Sequence, residues 1–303
     1  MYDYGNARVA AARSRLLGPE DLVRLRDAGT PAGLLALLER FDDWRRVLGE
    51  AASSAASPAE ALETAIEQYR GMRLAALLGW YAPPALGLVE ALVIPLDVER
   101  LVAVVRRRRA GEPSDRIAAT VPPGALLDGQ AIAWLVRAPL MRNVIERAAA
   151  ASLIRADDVP ALTRLATDEA KPERVERAIV EASDRARLAR AAGRGPNVRA
   201  VREVIEAEMA TRATAAWTTR EDGAGIAAPG ERDATLARLD RLARLGRRDP
   251  LGVAAVAGYV AAVEALSIRL RAALAGAAAG WSPDLVGEYF HLGAGRQPVR
   301  GAA

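Results

Sequence analysis

Helix start and stop signals follow one another so closely along this chain that they leave room for little besides helices. Gly18-Pro19-Glu20-Asp21 places Pro at a first helical position and two acids in the first turn, where the helix dipole favours them. Pro31 opens a helix read through Val47, and Ser57-Pro58-Ala59-Glu60 reads as an N-cap with Pro at N1. Asp3 or Asn6 caps a first helix through about Leu17, the Ala/Ser run 51–57 is a loop or frayed end, and Pro83-Pro84 breaks the chain again. Val98, Leu101, Val102 and Val105 fall at i, i+3, i+4 and i+7, one apolar helical stripe. Further helices are predicted at 128–150, 157–168, 171–192, 197–218, 232–246, 251–279 and 282–291. In 232–246 Leu236, Leu239 and Leu242 recur every third residue, and Asp240 and Arg244 form an i,i+4 pair worth a few tenths of a kcal/mol. Composition agrees: Ala fills 68 of 303 positions and aromatic residues only 4%, favouring helix over sheet. The fold class is all-α.

Scarcity narrows the function. There is no Cys, which excludes disulfides, thiolate metal sites and Cys nucleophiles. His291 is the single His, so a multi-His zinc site is excluded and a Ser-His-Asp triad would have to run through that residue. Lys171 is the single Lys among 42 basic residues, an Arg excess that fits codon bias, and the net charge is only +4, below what a dedicated nucleic-acid binder carries. The start is polar and Arg-rich, without the apolar core of a signal peptide. The longest apolar run considered for a membrane span, 74–89, is interrupted by Gly79, Pro83 and Pro84, and a soluble cytoplasmic protein is expected.

One device recurs: a basic helix, a Gly end and a short helix opened by Pro and acid. One copy is Leu96-Asp97-Val98-Glu99-Arg100-Leu101, the Arg run 106–109, Ala110-Gly111 and Glu112-Pro113-Ser114-Asp115. Another is Val263-Glu264-Ala265-Leu266-Ser267-Ile268-Arg269-Leu270-Arg271, then Gly280-Trp281-Ser282-Pro283-Asp284. A looser copy opens the chain with Asp3-Tyr4-Gly5-Asn6-Ala7-Arg8, Arg13, Arg15 and Gly18-Pro19, and a fourth region, 206–217, keeps an acid and Arg212 but not the Gly.

Four segments in order resemble the C/d family of V-type and archaeal-type rotary ATPase subunits. The opening Tyr4-Gly5-Asn6-Ala7-Arg8 into Arg13-Ser14-Arg15-Leu16-Leu17 and Asp21-Leu22 is similar to the family's start. The 96–101 segment with its Arg run and Gly111, then Pro122-Pro123-Gly124-Ala125-Leu126, resemble two successive family elements. Gly258-Tyr259-Val260 with Glu264, Arg269, Arg271 and the turn at 280–286 resembles its closing element. The match spans about 2–290; Arg100 stands where the family has Asn, and Arg40-Phe41-Asp42-Asp43 replaces a Thr-Pro-Tyr-like element.

The resemblance implies a funnel-shaped body of three similar helical modules, at about 1–110, 111–215 and 216–292; the tail at 293–303, with its Gly, Arg and Pro and few apolar residues, is expected to be disordered. It implies a non-catalytic rotor component on the cytoplasmic side of the membrane, peripheral to it through the ring. Such a component would couple stalk subunits D and F to the membrane rotor ring for proton or sodium transport. No cofactor, metal, small-molecule substrate or nucleic acid is expected. The candidate interface residues are Arg8, Arg13, Arg106, Arg107, Arg269, Arg271 and Trp281.

Other chemistry has a plainer reading. No Gly-Lys-Ser/Thr phosphate loop occurs. Gly223-Ala224-Gly225-Ile226-Ala227-Ala228 matches a dinucleotide fingerprint, but no strand precedes it and Pro229-Gly230 follows, so a loop is expected. The 106–109 run reads as cations at a helix C-terminus, or as an interface for acidic groups. Asp42-Asp43 and Asp157-Asp158 read as helix starts, the latter as an N-cap, and His291 as a packing or capping residue. Trp44, Trp80, Trp134, Trp217 and Trp281 read as packing residues, with Trp281 a partner contact as the alternative. Two competing functions stay open: a helical regulatory or nucleic-acid-associated scaffold using the Arg surface, and a helical enzyme working with carboxylates alone.

Overall fold

The structure is a computed structural model that describes residues 2–53, 55–166, 170–214 and 229–290. His291, Trp217, residues 223–228 and residues 293–303 lie outside the described residues. The described chain is all-α: fifteen α-helices and one 3-10 turn, with no strand among those residues.

Local chemistry explains most helix starts. α1 (Asp3–Arg13) is followed by α2 (Pro19–Arg26), where the Asp21 carboxylate accepts the Gly18 N–H at 3.0 Å. α3 (Pro31–Leu38) is capped by Thr30, whose hydroxyl accepts the Gly33 N–H at 3.1 Å. α4 (Asp42–Ala52) precedes α5 (Pro58–Leu78), which opens on a reciprocal cap. There Ser57 Oγ accepts the Glu60 N–H at 3.2 Å, and the Glu60 carboxylate accepts the Ala56 N–H at 2.8 Å. α6 (Ala85–Arg109) starts after Pro83-Pro84 and stops at Gly111, whose φ of 74° closes the helix end in the left-handed region. α7 (Ser114–Thr120) leads to α8 (Gly129–Val136), capped by Asp128 on the Ala131 N–H at 2.8 Å, and to α9 (Met141–Ala150). A 3-10 turn (Ala156–Asp158) runs into α10 (Val159–Leu165). α11 (Pro172–Arg190), α12 (Pro196–Thr214), α13 (Pro229–Arg248), α14 (Val253–Ala279) and α15 (Pro283–Phe290) complete the order.

Several expectations are corrected. The first helix ends at Arg13 rather than Leu17, and the predicted 31–47 helix is α3 and α4, separated at 39–41. The predicted 128–150 helix is α8 and α9, parted at 137–140, where Pro139 pushes Ala138 away from helical backbone. Asp158 makes no side-chain cap; its carboxylate takes the Arg185 guanidinium at 2.9 Å. Asp240 is engaged by Arg269 of α14 at 2.6 Å rather than by Arg244. An 18-residue window of α14, with mean hydropathy 1.6, is long and apolar enough to cross a membrane by length and composition. That window is 72% buried inside the protein, as in a core helix.

The chain divides into two compact units, a partition different from the three modules, which stay a proposal. One unit comprises Met1–Ala11, Gly71–Gly225 and Ala243–Val260. Its spine is α6, along which α11 makes the most extensive helix pairing among the described residues. Ile94, Val98, Leu101, Val104 and Val105 of α6 share one core with Ile117, Ile132, Leu135, Val144 and Ile145 of the short helices and Val175, Ile179 and Ala182 of α11. Each large apolar side chain buried there contributes about 1.5–3 kcal/mol. The other unit comprises Ala12–Arg70, Ile226–Leu242 and Ala261–Ala303. In it Trp44 stacks on Tyr69 with ring centroids 4.0 Å apart and planes 12° from parallel, and α2 packs on α15.

Candidate interface and the buried charge network

Two polar residues of the sequence motifs, Asn6 and Asp97, are buried and join elements. Asn6 donates through its amide to the carbonyls of Pro250 and Gly252 at 2.8 and 3.1 Å and accepts from the Tyr81 hydroxyl at 2.7 Å. Burial raises the pKa of that phenol. Gly5 lets Tyr81 approach, since a Cβ there would run into the ring.

Asp97 of α6 is fully buried. Its carboxylate accepts the backbone N–H groups of Leu126, at 3.0 Å, and Leu127, at 2.8 Å. These belong to the loop that carries Pro122-Pro123-Gly124-Ala125-Leu126. Two glycines allow the fit: a Cβ on Gly124 would collide with the Asp97 carboxylate, and one on Gly71 of α5 would come 2.5 Å from the Pro123 carbonyl oxygen. Burial pushes the Asp97 carboxyl up to about 6, against the opposing pull of the Leu127, Leu126 and Ala125 N–H groups and of Arg100.

On α11, Asp184 and Arg187 repeat the Asp-x-x-Arg-Leu spacing of Asp97, Arg100 and Leu101. Both are buried. Pro95 has no N–H, so the Ala91 carbonyl in α6 lacks its helical donor, and Arg187 Nε fills the gap at 2.8 Å. The same guanidinium donates to Asp184 at 3.2 Å and to Glu208 of α12 at 2.7 Å, and Arg212 of α12 reaches Asp184 at 2.6 Å. One guanidinium thus ties α6, α11 and α12. A cleft of about 260 Å³ opens beside it, lined by Pro95, Val98 and Val102 of α6, by Ser183 and Asp184 of α11, and by Arg212.

The candidate interface residues fall into three groups. Arg8 is exposed, its guanidinium 5.0 Å from the centroid of the exposed Tyr4 ring; Arg13 and Trp281 are half-buried. Arg106 holds Glu176 in a bidentate pair at 2.9 and 2.7 Å, which raises its pKa although its side chain stays 65% exposed. Arg107 bonds Thr120. Arg269 and Arg271 are engaged inside their own unit: Arg269 with Asp240 and the Phe290 carbonyl, Arg271 with Glu63 and Glu67. Nearby, Arg70 pairs bidentately with Glu264 of α14 at 2.9 and 2.6 Å.

The Arg run is more than a dipole cap. Arg108 donates to the carbonyls of Val136 and Ala138, and Arg109 to that of Ala170, so the end of α6 ties down the chain that follows. Trp44 is buried and Trp80 half-buried, as packing requires, but Trp134 is exposed. The sequence signal for Asp184 and Arg187 was the repeated Asp-x-x-Arg-Leu; the signal for Trp134 was its place between Gln130 and Arg137 on one helical face. No protein-family model matches this chain, and no curated protein matches it.

Proposed function

We propose that this chain is a non-catalytic central-rotor component of a V/A-type rotary ATPase, built of three related helical modules as a funnel. It couples stalk subunits D and F to the membrane rotor ring for proton or sodium transport, on the cytoplasmic side and peripheral to the membrane. The observation that carries the reading is the Asp97 clamp. It joins two of the four segments on which the resemblance rests, Leu96-Asp97-Val98-Glu99-Arg100-Leu101 and Pro122-Pro123-Gly124-Ala125-Leu126, through buried hydrogen bonds. The second Asp-x-x-Arg-Leu turn, at 184–188, supports the idea of related modules.

A rotor adapter needs stiff helices and broad docking faces rather than a reactive pocket. Buried guanidinium–carboxylate ties between long helices suit that demand, because breaking one partner away is costly. The nucleic-acid alternative loses part of its surface, since Arg106, Arg269 and Arg271 are already matched by acids. Co-purification of the pure chain with a D/F stalk complex and with the ring, over a salt series, tests the reading. Stoichiometric binding that weakens with salt is expected. Binding to neither, with salt-steep binding to DNA instead, favours the scaffold. Turnover by the isolated chain that is lost on mutating a carboxylate pair favours the enzyme.

A further inference from the structure

Many arginines among the described residues face a carboxylate, and a group of four does not. At the elbow between α8 and α9 stand Arg108, Arg137, Arg142 and Arg147, and among the described residues no carboxylate lies within ion-pair distance of any of them. Arg108 and Arg147 donate only to backbone carbonyls, those of Val136, Ala138 and Trp134. They are close enough that the charge of Arg147 adds to burial in lowering the proton affinity of Arg108. The local acids make no described ion pair to these four: Asp128 caps α8, Glu146 of α9 holds the Asn143 amide, and Asp115 lies in the first turn of α7, which packs on α8.

The same elbow exposes apolar surface. Trp134 is 43% exposed and Leu140 51% exposed, with exposed Pro139 between them in sequence. The Arg147 guanidinium lies 5.0 Å from the Trp134 ring centroid, holding an aromatic and a cation as one unit. Trp and Arg together are the side chains that dominate protein interfaces.

We propose that this elbow is a docking surface for an acidic segment of a partner protein, one that sets an apolar side chain between its carboxylates. The apolar residue packs on Trp134 and Leu140, and the carboxylates take the N–H groups of the four guanidiniums. Charge complementarity selects this occupant. A bilayer would need a wider apolar face, and the exposed Gln130 of α8 and Glu146 of α9 are polar. Single-stranded nucleic acid would need several aromatic faces for successive bases, and among its described residues the elbow offers the one ring of Trp134. The elbow and its occupant do not depend on the rotor role.

The test uses the full chain and a fluorescein-labelled peptide of Glu with Leu at every fourth position, read by fluorescence anisotropy. Control probes are the same peptide with Gln for Glu, phosphatidylserine vesicles and a single-stranded RNA oligonucleotide. The acidic peptide is expected to bind with a micromolar Kd that weakens with salt. The surface double variant Arg137→Glu with Arg142→Glu, which disturbs no described contact, should lose about tenfold or more in affinity, and Trp134→Ala a similar factor. Circular dichroism confirms that each variant keeps its helices. The proposal is overturned if the Gln peptide binds as well, if both variants bind unchanged, or if the acidic peptide fails to bind below 1 mM. Trp134-dependent binding of only the vesicles or only the RNA likewise overturns it.

Discussion

Two turns that share the Asp-x-x-Arg-Leu pattern, Asp97-Val98-Glu99-Arg100-Leu101 in α6 and Asp184-Arg185-Ala186-Arg187-Leu188 in α11, bury their aspartates in opposite ways. Asp97 faces a loop, and backbone N–H groups satisfy it. Asp184 faces a helix, and the guanidiniums of Arg187 and Arg212 satisfy it. The local sequence places a carboxylate on the buried face in both. What passes over that face decides whether the charge meets dipoles or cations; at Asp97, burial outweighs the N–H dipoles and pushes the carboxyl up to about 6.

The largest effect should come from Arg187. Replacing it by Leu takes a buried cation from Asp184 and Glu208 and leaves the Ala91 carbonyl freed by Pro95 without its guanidinium donor, at a cost of about 3–5 kcal/mol. Lys should rescue little, because an ammonium cannot span three acceptors on different helices. Urea unfolding of both variants measures this, and a cost below about 1 kcal/mol would break the cation-held side of the comparison.

Asp97→Ala comes next. It removes the acceptor of two buried N–H groups and should cost about 2–4 kcal/mol in the same assay. Gly124→Ala should cost about 1–3 kcal/mol by intruding on the carboxylate, and less once Asp97 is already Ala, a coupling that a double-mutant cycle measures.

The pH test sharpens the contrast. The Asp97 carboxyl titrates near 6 in the folded chain, above an unfolded value near 4. The folded state therefore binds the proton more tightly, and this group's stabilising contribution, full below about pH 4, is lost as pH rises to about 6. Relative to Asp97→Asn, the wild type should lose roughly 1–3 kcal/mol between about pH 4 and 7. A flat difference would place the carboxyl in its ordinary range. The smallest effect is expected for Arg106→Gln. Its guanidinium is 65% exposed, so loosening Glu176 should cost about 1 kcal/mol or less in urea unfolding.

The all-helical fold was legible because Pro19, Pro31, Pro58, Pro172, Pro196 and Pro283 all mark helix starts by a local rule that tertiary packing did not override. The break at 39–41 was not legible: no Pro or Gly marks it, and Leu34, Leu38, Trp44 and Val47 continue an apolar pattern across it. The break at 137–140 was marked by Pro139, but the apolar periodicity on both sides masks that signal. At the site, residue types read as exposed interface cations met acids far away in sequence. Arg106 finds Glu176, Arg271 finds Glu63, and no spacing rule reaches that far. The elbow arginines differ because, among the described residues, no carboxylate comes within ion-pair distance of them.

The proposed coupling role is tested most directly by ATP-driven ion uptake into vesicles carrying the reconstituted rotary complex, assembled with and without this chain. With it, hydrolysis and uptake should run together; without it, hydrolysis should continue while uptake is lost. Equal uptake in both preparations would contradict the account.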